Sequence, residues 1–180
     1  FRAIAEAVDM PHVLYNVPER TVADISNETV LRLAEIPNIV GIKDATANMA
    51  RGVELLKHAP RNFGIYSGED VSTLALMLLG GHGTISVTAN VAPRLMHEMC
   101  AAALNGDRAK AIDINNRLLG LHQNLFLESN PIPVKWAVHR MGLIDAGIRL
   151  PLTPFDARYH AKLLEAMKAA GALDHLKEVA

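Results

Sequence analysis

Lys43 closes the apolar run Ile39-Val40-Gly41-Ile42 and is followed by Asp44-Ala45-Thr46. An ammonium is costly to desolvate, and burial pushes a lysine pKa down toward neutrality. A neutral amine is a nucleophile whose natural target is a carbonyl, which it converts to a Schiff base. Either the strand has ended and Lys43 points to solvent, as most lysines do, or a covalent catalyst sits at a strand end. Other short apolar runs end in Tyr15-Asn16-Val17-Pro18-Glu19-Arg20, Ser67-Gly68-Glu69-Asp70 and Thr88-Ala89-Asn90. A tyrosine suits proton transfer and an arginine suits a bidentate carboxylate clamp. Taken singly, Tyr15 is a half-buried aromatic, Arg20 a loop charge and Gly68 a turn glycine. Taken together at the same end of successive units, they suit carbonyl chemistry on an anionic substrate.

The elements that must position these residues follow from the periodicity. The runs His12–Tyr15, Ile39–Ile42, Phe63–Tyr66 and Thr84–Val87 start roughly 20 to 27 residues apart, the length of a strand-helix unit. They do not alternate polar with apolar, the pattern of parallel strands buried on both faces. Ser26 can cap a helix that stops before Pro37. Asn48 can cap Met49–His58, and Asp70 can cap Val71–Leu79, which ends at Gly80-Gly81. From about Asn90 the pattern is helical only: Pro93–Leu104, Asp107 to about Leu127, Pro133–Met141, and Asp156–Ala170 after the loop Leu150-Pro151-Leu152-Thr153-Pro154. The expected fold class is α/β. Residues 1–104 form the second half of a TIM (β/α)8 barrel, and 105–180 form a C-terminal helical domain. A doubly wound sheet is the alternative, but Tyr15-Asn16-Val17-Pro18 is not its phosphate-type glycine loop.

Composition narrows the function. Half the residues are hydrophobic, 21% are charged, and the formal net charge is −1. That balance implies no nucleic-acid partner and no anionic membrane partner. The single cysteine, Cys100, excludes an internal disulfide framework and fits a reducing, cytoplasmic setting. The eight histidines are scattered, with none at metal-ligand spacing, so no metal is expected. Gly80-Gly81-His82-Gly83 leads into a strand, whereas an anion-binding glycine loop leads into a helix.

Four segments, Tyr15–Thr21, Gly41–Thr46, Gly80–Asn90 and Asn130–Ala137, together resemble the dihydrodipicolinate synthase family of class I pyruvate-dependent aldolases. The resemblance runs over nearly the whole chain, in order and at fitting spacing. It implies that Lys43 forms the Schiff base with pyruvate and that Tyr15 relays protons. It implies that Arg20 receives the carboxylate of aspartate semialdehyde, and that the backbones of Gly68 and Ile85 line the pyruvate pocket. Asp44 stands where many members have glutamate. The resemblance further implies lysine (diaminopimelate) biosynthesis, no cofactor, a cytoplasmic location and a homotetramer. Another pyruvate-dependent aldolase acting on a sugar acid, such as one like N-acetylneuraminate lyase, is the alternative, against which Arg20 argues.

Phe1–Val8 reads as the back half of an amphipathic helix without an N-cap. The family's Gly-Thr-Thr-Gly-Glu segment, which binds the pyruvate carboxylate, has no counterpart here, and neither does its tyrosine from across the dimer interface. The chain is therefore expected to be the C-terminal part of a longer protein, and by itself an inert structural piece. The edges at His12–Tyr15 and Thr84–Val87 are expected to pair with polypeptide outside this numbering.

Overall fold

Three of the helix starts are set by side chains. Ser26 Oγ accepts from the Thr29 amide, Asn48 Oδ1 from the Arg51 amide and Asp107 Oδ1 from the Lys110 amide. Each satisfies one of the amides left free in a first helical turn. The computed structural model describes residues 1–174. The last six residues of the expected 105–180 domain lie outside the described residues.

By contact, the chain falls into two compact units, Phe1–Ser86 and Val87–Ala180. The first holds α1 (Arg2–Ala7), β1 (His12–Asn16), α2 (Pro18–Thr21) and α3 (Asn27–Leu33). It continues with β2 (Ile39–Asp44), α4 (Met49–His58), β3 (Gly64–Ser67), α5 (Thr73–Leu78) and β4 (Gly83–Thr84). The strands form one parallel sheet in the order β1-β2-β3-β4. Leu14, Ile42 and Ile65 lie on one face of it and pack with Val30, Ile36, Leu55 and Leu76. Val30, Ile42 and Leu55 are fully buried; burying each such side chain contributes about 1.5–3 kcal/mol.

The sequence-based boundaries shift in informative places. β2 runs past Ile42, so Lys43 and Asp44 lie within the strand instead of beyond it. β4 holds only Gly83–Thr84, not the expected Thr84–Val87. The Ile85 amide makes a last bond to the Ser67 carbonyl, and the Glu69 amide, next in turn to face β4, bonds back to Ser67 Oγ at 3.2 Å. With no ladder left to join, Val87 takes helical angles and a 3-10 turn follows at Thr88–Asn90. Asp70 does not cap its helix, which begins at Thr73. The Glu69 carboxylate accepts from the Val71 and Ser72 amides in its place.

The second unit holds α6 (Pro93–Leu104), α7 (Arg108–Asn124), α8 (Ile132–Arg140) and α9 (His160–Ala169), with a 3-10 turn at Ala157–Tyr159. Met99, Leu118, Leu121, Leu125, Leu163 and Met167 form its fully buried centre. Trp136 stacks on His160 at 4.5 Å between ring centroids. A buried bond of 2.9 Å joins Thr88 Oγ1 and His122 Nδ1, fixing the 3-10 turn to α7. By chain order α6 is the helix after β4, as a boundary at residue 104 assumes; by contact it groups with the helices that follow. Among the described residues no helix is long and apolar enough to cross a membrane.

Candidate active site

A parallel ladder brings residues of equal register side by side. Tyr15 on β1 pairs with Lys43 on β2, Lys43 with Tyr66 on β3, and Tyr66 with Gly83 on β4. Side chains alternate along a strand, so these residues share the face opposite Leu14, Ile42 and Ile65. Tyr15 is 48% exposed there. The Lys43 amine lies over the Tyr15 ring, 4.2 Å from its centroid. At that range the negative face of the ring favours a cation.

Glycines shape the ground around the amine. A Cβ on Gly68 would lie 2.9 Å from Lys43 Cε, 3.0 Å from Lys43 Cγ and 2.9 Å from the Ala45 Cβ. One register step below, a Cβ on Gly41 would lie 2.6 Å from the Gly64 carbonyl oxygen. A Cβ on Gly64 would in turn meet the Tyr66 ring at 2.6 Å and its hydroxyl at 2.8 Å. The Tyr66 ring therefore lies back across bare backbone, beneath the level of the lysine. Only glycine leaves that space open.

The remaining sequence candidates sit around this row. Arg20 is exposed on the one-turn helix α2, which Val17 and Pro18 start and Val22 ends in the left-handed region at φ 55. It makes no ion pair among the described residues. Gly68 follows β3, its amide committed to the Asp44 carbonyl at 2.8 Å. Ile85 is 47% exposed, with its amide committed to the Ser67 carbonyl at 2.9 Å. The ladder brings Tyr15 and Lys43 together, and Gly68 abuts the lysine. Arg20 stands on the loop that leaves β1.

Tyr66 escaped the sequence reading, which took Phe63–Tyr66 as an apolar run. A signal was present. Three strands end in a large side chain followed by a small polar one: Tyr15-Asn16, Lys43-Asp44 and Tyr66-Ser67. That shared phase marks all three first members for one face.

Asp24, beside this row, has a displaced titration. The hydrogen bond from Asn16 holds its carboxyl below the ordinary aspartate range, helped by the charge of Arg51 and opposed by partial burial. Among the described residues no group of three or more His, Cys, Asp or Glu side chains could hold a metal ion.

The Dihydrodipicolinate synthetase family matches residues 1–170. The chain belongs to this family. It is 69% identical over 171 residues to the 4-hydroxy-tetrahydrodipicolinate synthase of Nitrosospira multiformis, covering 95% of this chain and 57% of that relative. The enzyme of the same name from an Azoarcus species is 65% identical, with 95% and 59% covered. The crystal structure of the chloride-inhibited dihydrodipicolinate synthase of Acinetobacter baumannii, complexed with pyruvate, superposes with a TM-score of 0.92. It is 57% identical over 95% of this chain and 59% of that one. The lysine-bound enzyme of Cyanidioschyzon merolae gives 0.92 at 39% identity, with 96% of this chain and 59% of that one covered. The chain thus spans somewhat more than half the length of these relatives. Its four-stranded parallel sheet is a partial barrel of the dihydrodipicolinate synthetase type.

Proposed function

We propose that the protein these residues build is a 4-hydroxy-tetrahydrodipicolinate synthase, a lyase that condenses pyruvate with L-aspartate 4-semialdehyde. The observation that carries the reading is the strand-register row Tyr15–Lys43–Tyr66, with the lysine amine 4.2 Å from the Tyr15 ring centroid. The family membership and the relatives named above support it. The Lys43 amine attacks the pyruvate C2 carbonyl, and loss of water leaves an iminium whose nitrogen is the lysine's own. That cation occupies the place over the Tyr15 ring where the Lys43 nitrogen now lies. Loss of a proton from C3 gives an enamine. Its C3 bonds to the aldehyde carbon of the semialdehyde, whose oxygen takes up a proton; the semialdehyde's own amine then attacks C2, closing the ring as the C2–lysine bond breaks and the Lys43 amine regains its proton. Tyr15 is the side chain placed to carry these protons. Arg20 on its exposed loop receives the semialdehyde carboxylate in a two-bond fork.

Gly68 and Ile85 supply backbone walls to the pyruvate pocket. The reading entails lysine (diaminopimelate) biosynthesis, a cytoplasmic location and a homotetramer. Borohydride reduction in the presence of pyruvate tests it on the full-length polypeptide. One pyruvate-derived mass should appear on Lys43 and vanish in Lys43→Ala. A peptide map that places the adduct on Lys57 or Lys135 overturns the assignment. Turnover of a sugar acid in place of aspartate semialdehyde would favour the other aldolase reading.

A further inference from the structure

Behind the row Tyr15–Lys43–Tyr66, on the opposite side of the sheet, lies a second row, Asn16–Asp44–Ser67. Asn16 is almost wholly buried, and every polar group it has is used. Its Nδ2 donates to Asp24 Oδ1 at 2.8 Å and to Asp44 Oδ1 at 3.0 Å. Its Oδ1 accepts from the Ile25 amide at 3.1 Å, and its carbonyl accepts from the Ala45 amide at 2.9 Å. Asp44 is held again by Thr46 Oγ1, which donates to Oδ2 at 2.7 Å. Arg51 reaches in from α4. Its Nη1 donates to both Asp24 oxygens at 3.0 and 2.9 Å, its Nη2 donates to the Ile25 carbonyl, and its Nε lies 3.8 Å from Asp44 Oδ1.

Two members of this network directly follow a residue of the site. Asn16 follows Tyr15, and Asp44 follows Lys43. Gly68, which shoulders the lysine, hangs by its amide from the Asp44 carbonyl. Asp24 anchors the segment that carries Arg20. One amide side chain thus bridges two carboxylates across the ends of two strands, and one guanidinium offsets their mutual repulsion. Charged hydrogen bonds of this kind are directional and short. A sideways slip of one strand end against its neighbour would break several at once.

We propose that Asn16, Asp24, Asp44 and Arg51 are positioning residues, with Asn16 the hub that sets the Lys43 amine against Tyr15. The proposal rests on the reading of Lys43 as the covalent centre. A misplacement of about 1 Å can cost on the order of 10²-fold in rate, so the effect should appear in the chemical step.

The test uses the full-length polypeptide and follows the rate of the borohydride-trapped pyruvate adduct at saturating pyruvate, per folded molecule. Asn16→Asp keeps the shape, removes both donors and adds a third carboxylate. It should slow adduct formation about tenfold or more, with the pyruvate KM within about twofold of wild type. Asp24→Asn, at the half-exposed end of the network, should slow it about threefold, and it decides the matter alone if Asn16→Asp does not fold. Folded variants that trap pyruvate at the wild-type rate, or that raise only KM, overturn the proposal. A wild-type protein that forms no adduct on Lys43 removes the functional reading and this inference together. Equal rates in wild type and variants remove the inference alone.

Discussion

The Lys43 amine and the Tyr15 ring face each other at 4.2 Å across paired positions of adjacent strands. The contact gives Tyr15 two separable contributions, a hydroxyl that moves protons and a ring face that favours a cationic nitrogen. Tyr15→Phe keeps the ring and should still form the pyruvate adduct, while turnover falls on the order of 10²-fold or more. Tyr15→Leu should also slow adduct formation, because a cation–ring contact at an exposed site is worth about 0.5–1 kcal/mol. Single-turnover trapping of both variants checks the separation. Equal adduct rates in Phe and Leu variants would refute a role for the ring.

Gly68 should tolerate no side chain. A methyl group there would press on Lys43 at both Cγ and Cε and on the Ala45 Cβ. The far end of the lysine can swing away, but Cγ and Ala45 cannot do so freely. Gly68→Ala should lower turnover by about 10²-fold through a displaced amine and cost about 1–3 kcal/mol of stability from overpacking. Steady-state kinetics and a thermal melt on the same sample measure both.

Arg20 should act on the second substrate. Its side chain stands exposed, with no ion pair among the described residues to break. A charged hydrogen bond is worth about 1.5–3 kcal/mol. Arg20→Ala should therefore raise the KM for aspartate semialdehyde by about ten- to a hundredfold, while the pyruvate KM changes little. An equal loss for both substrates would count against the assignment.

Asp24 predicts how acid acts on the first unit. Its folded pKa lies below the ordinary 3.8, chiefly through the Asn16 hydrogen bond and also through Arg51. A carboxyl lowered in the folded state contributes stability that is fully present above 3.8 and is lost as pH falls through the folded value. Asp24→Asn should therefore lower Tm near neutral pH, and its gap from wild type should close below the ordinary aspartate range. Melts across that range decide it. A gap that persists unchanged in acid would show that the carboxylate charge is not what the fold uses.

Much of this was legible in the sequence because it is local. The caps at Ser26 and Asn48 lie three residues from the amides they satisfy, and α4 and α6 fall on their expected bounds. Tyr15 and Lys43 were visible as polar endings of apolar runs. What was not legible depends on pairs distant in sequence. Asn16 finds Asp44 across 28 positions and Arg51 finds Asp24 across 27, with no periodic signature at either end. β4 is short because the Glu69 amide turns back to Ser67 Oγ, a fact about β3's end that Ile85-Ser86-Val87 does not contain. Asp70 lost its cap to Glu69, which reaches two amides where either residue was suited.

The interlocked glycines beneath the lysine make the depth of this pocket a property of the main chain. Gly41 is barred from any larger residue by the carbonyl of Gly64, and any side chain at Gly64 must push the Tyr66 ring out of its place. No single replacement at either position can deepen or fill the floor by degrees. In a saturation library, positions 41 and 64 should return almost no active clones, whereas Arg20 and Ile85 at the rim should return graded ones. Appetite for new aldehydes would be acquired at the lip of the vessel, because its base admits no tailoring.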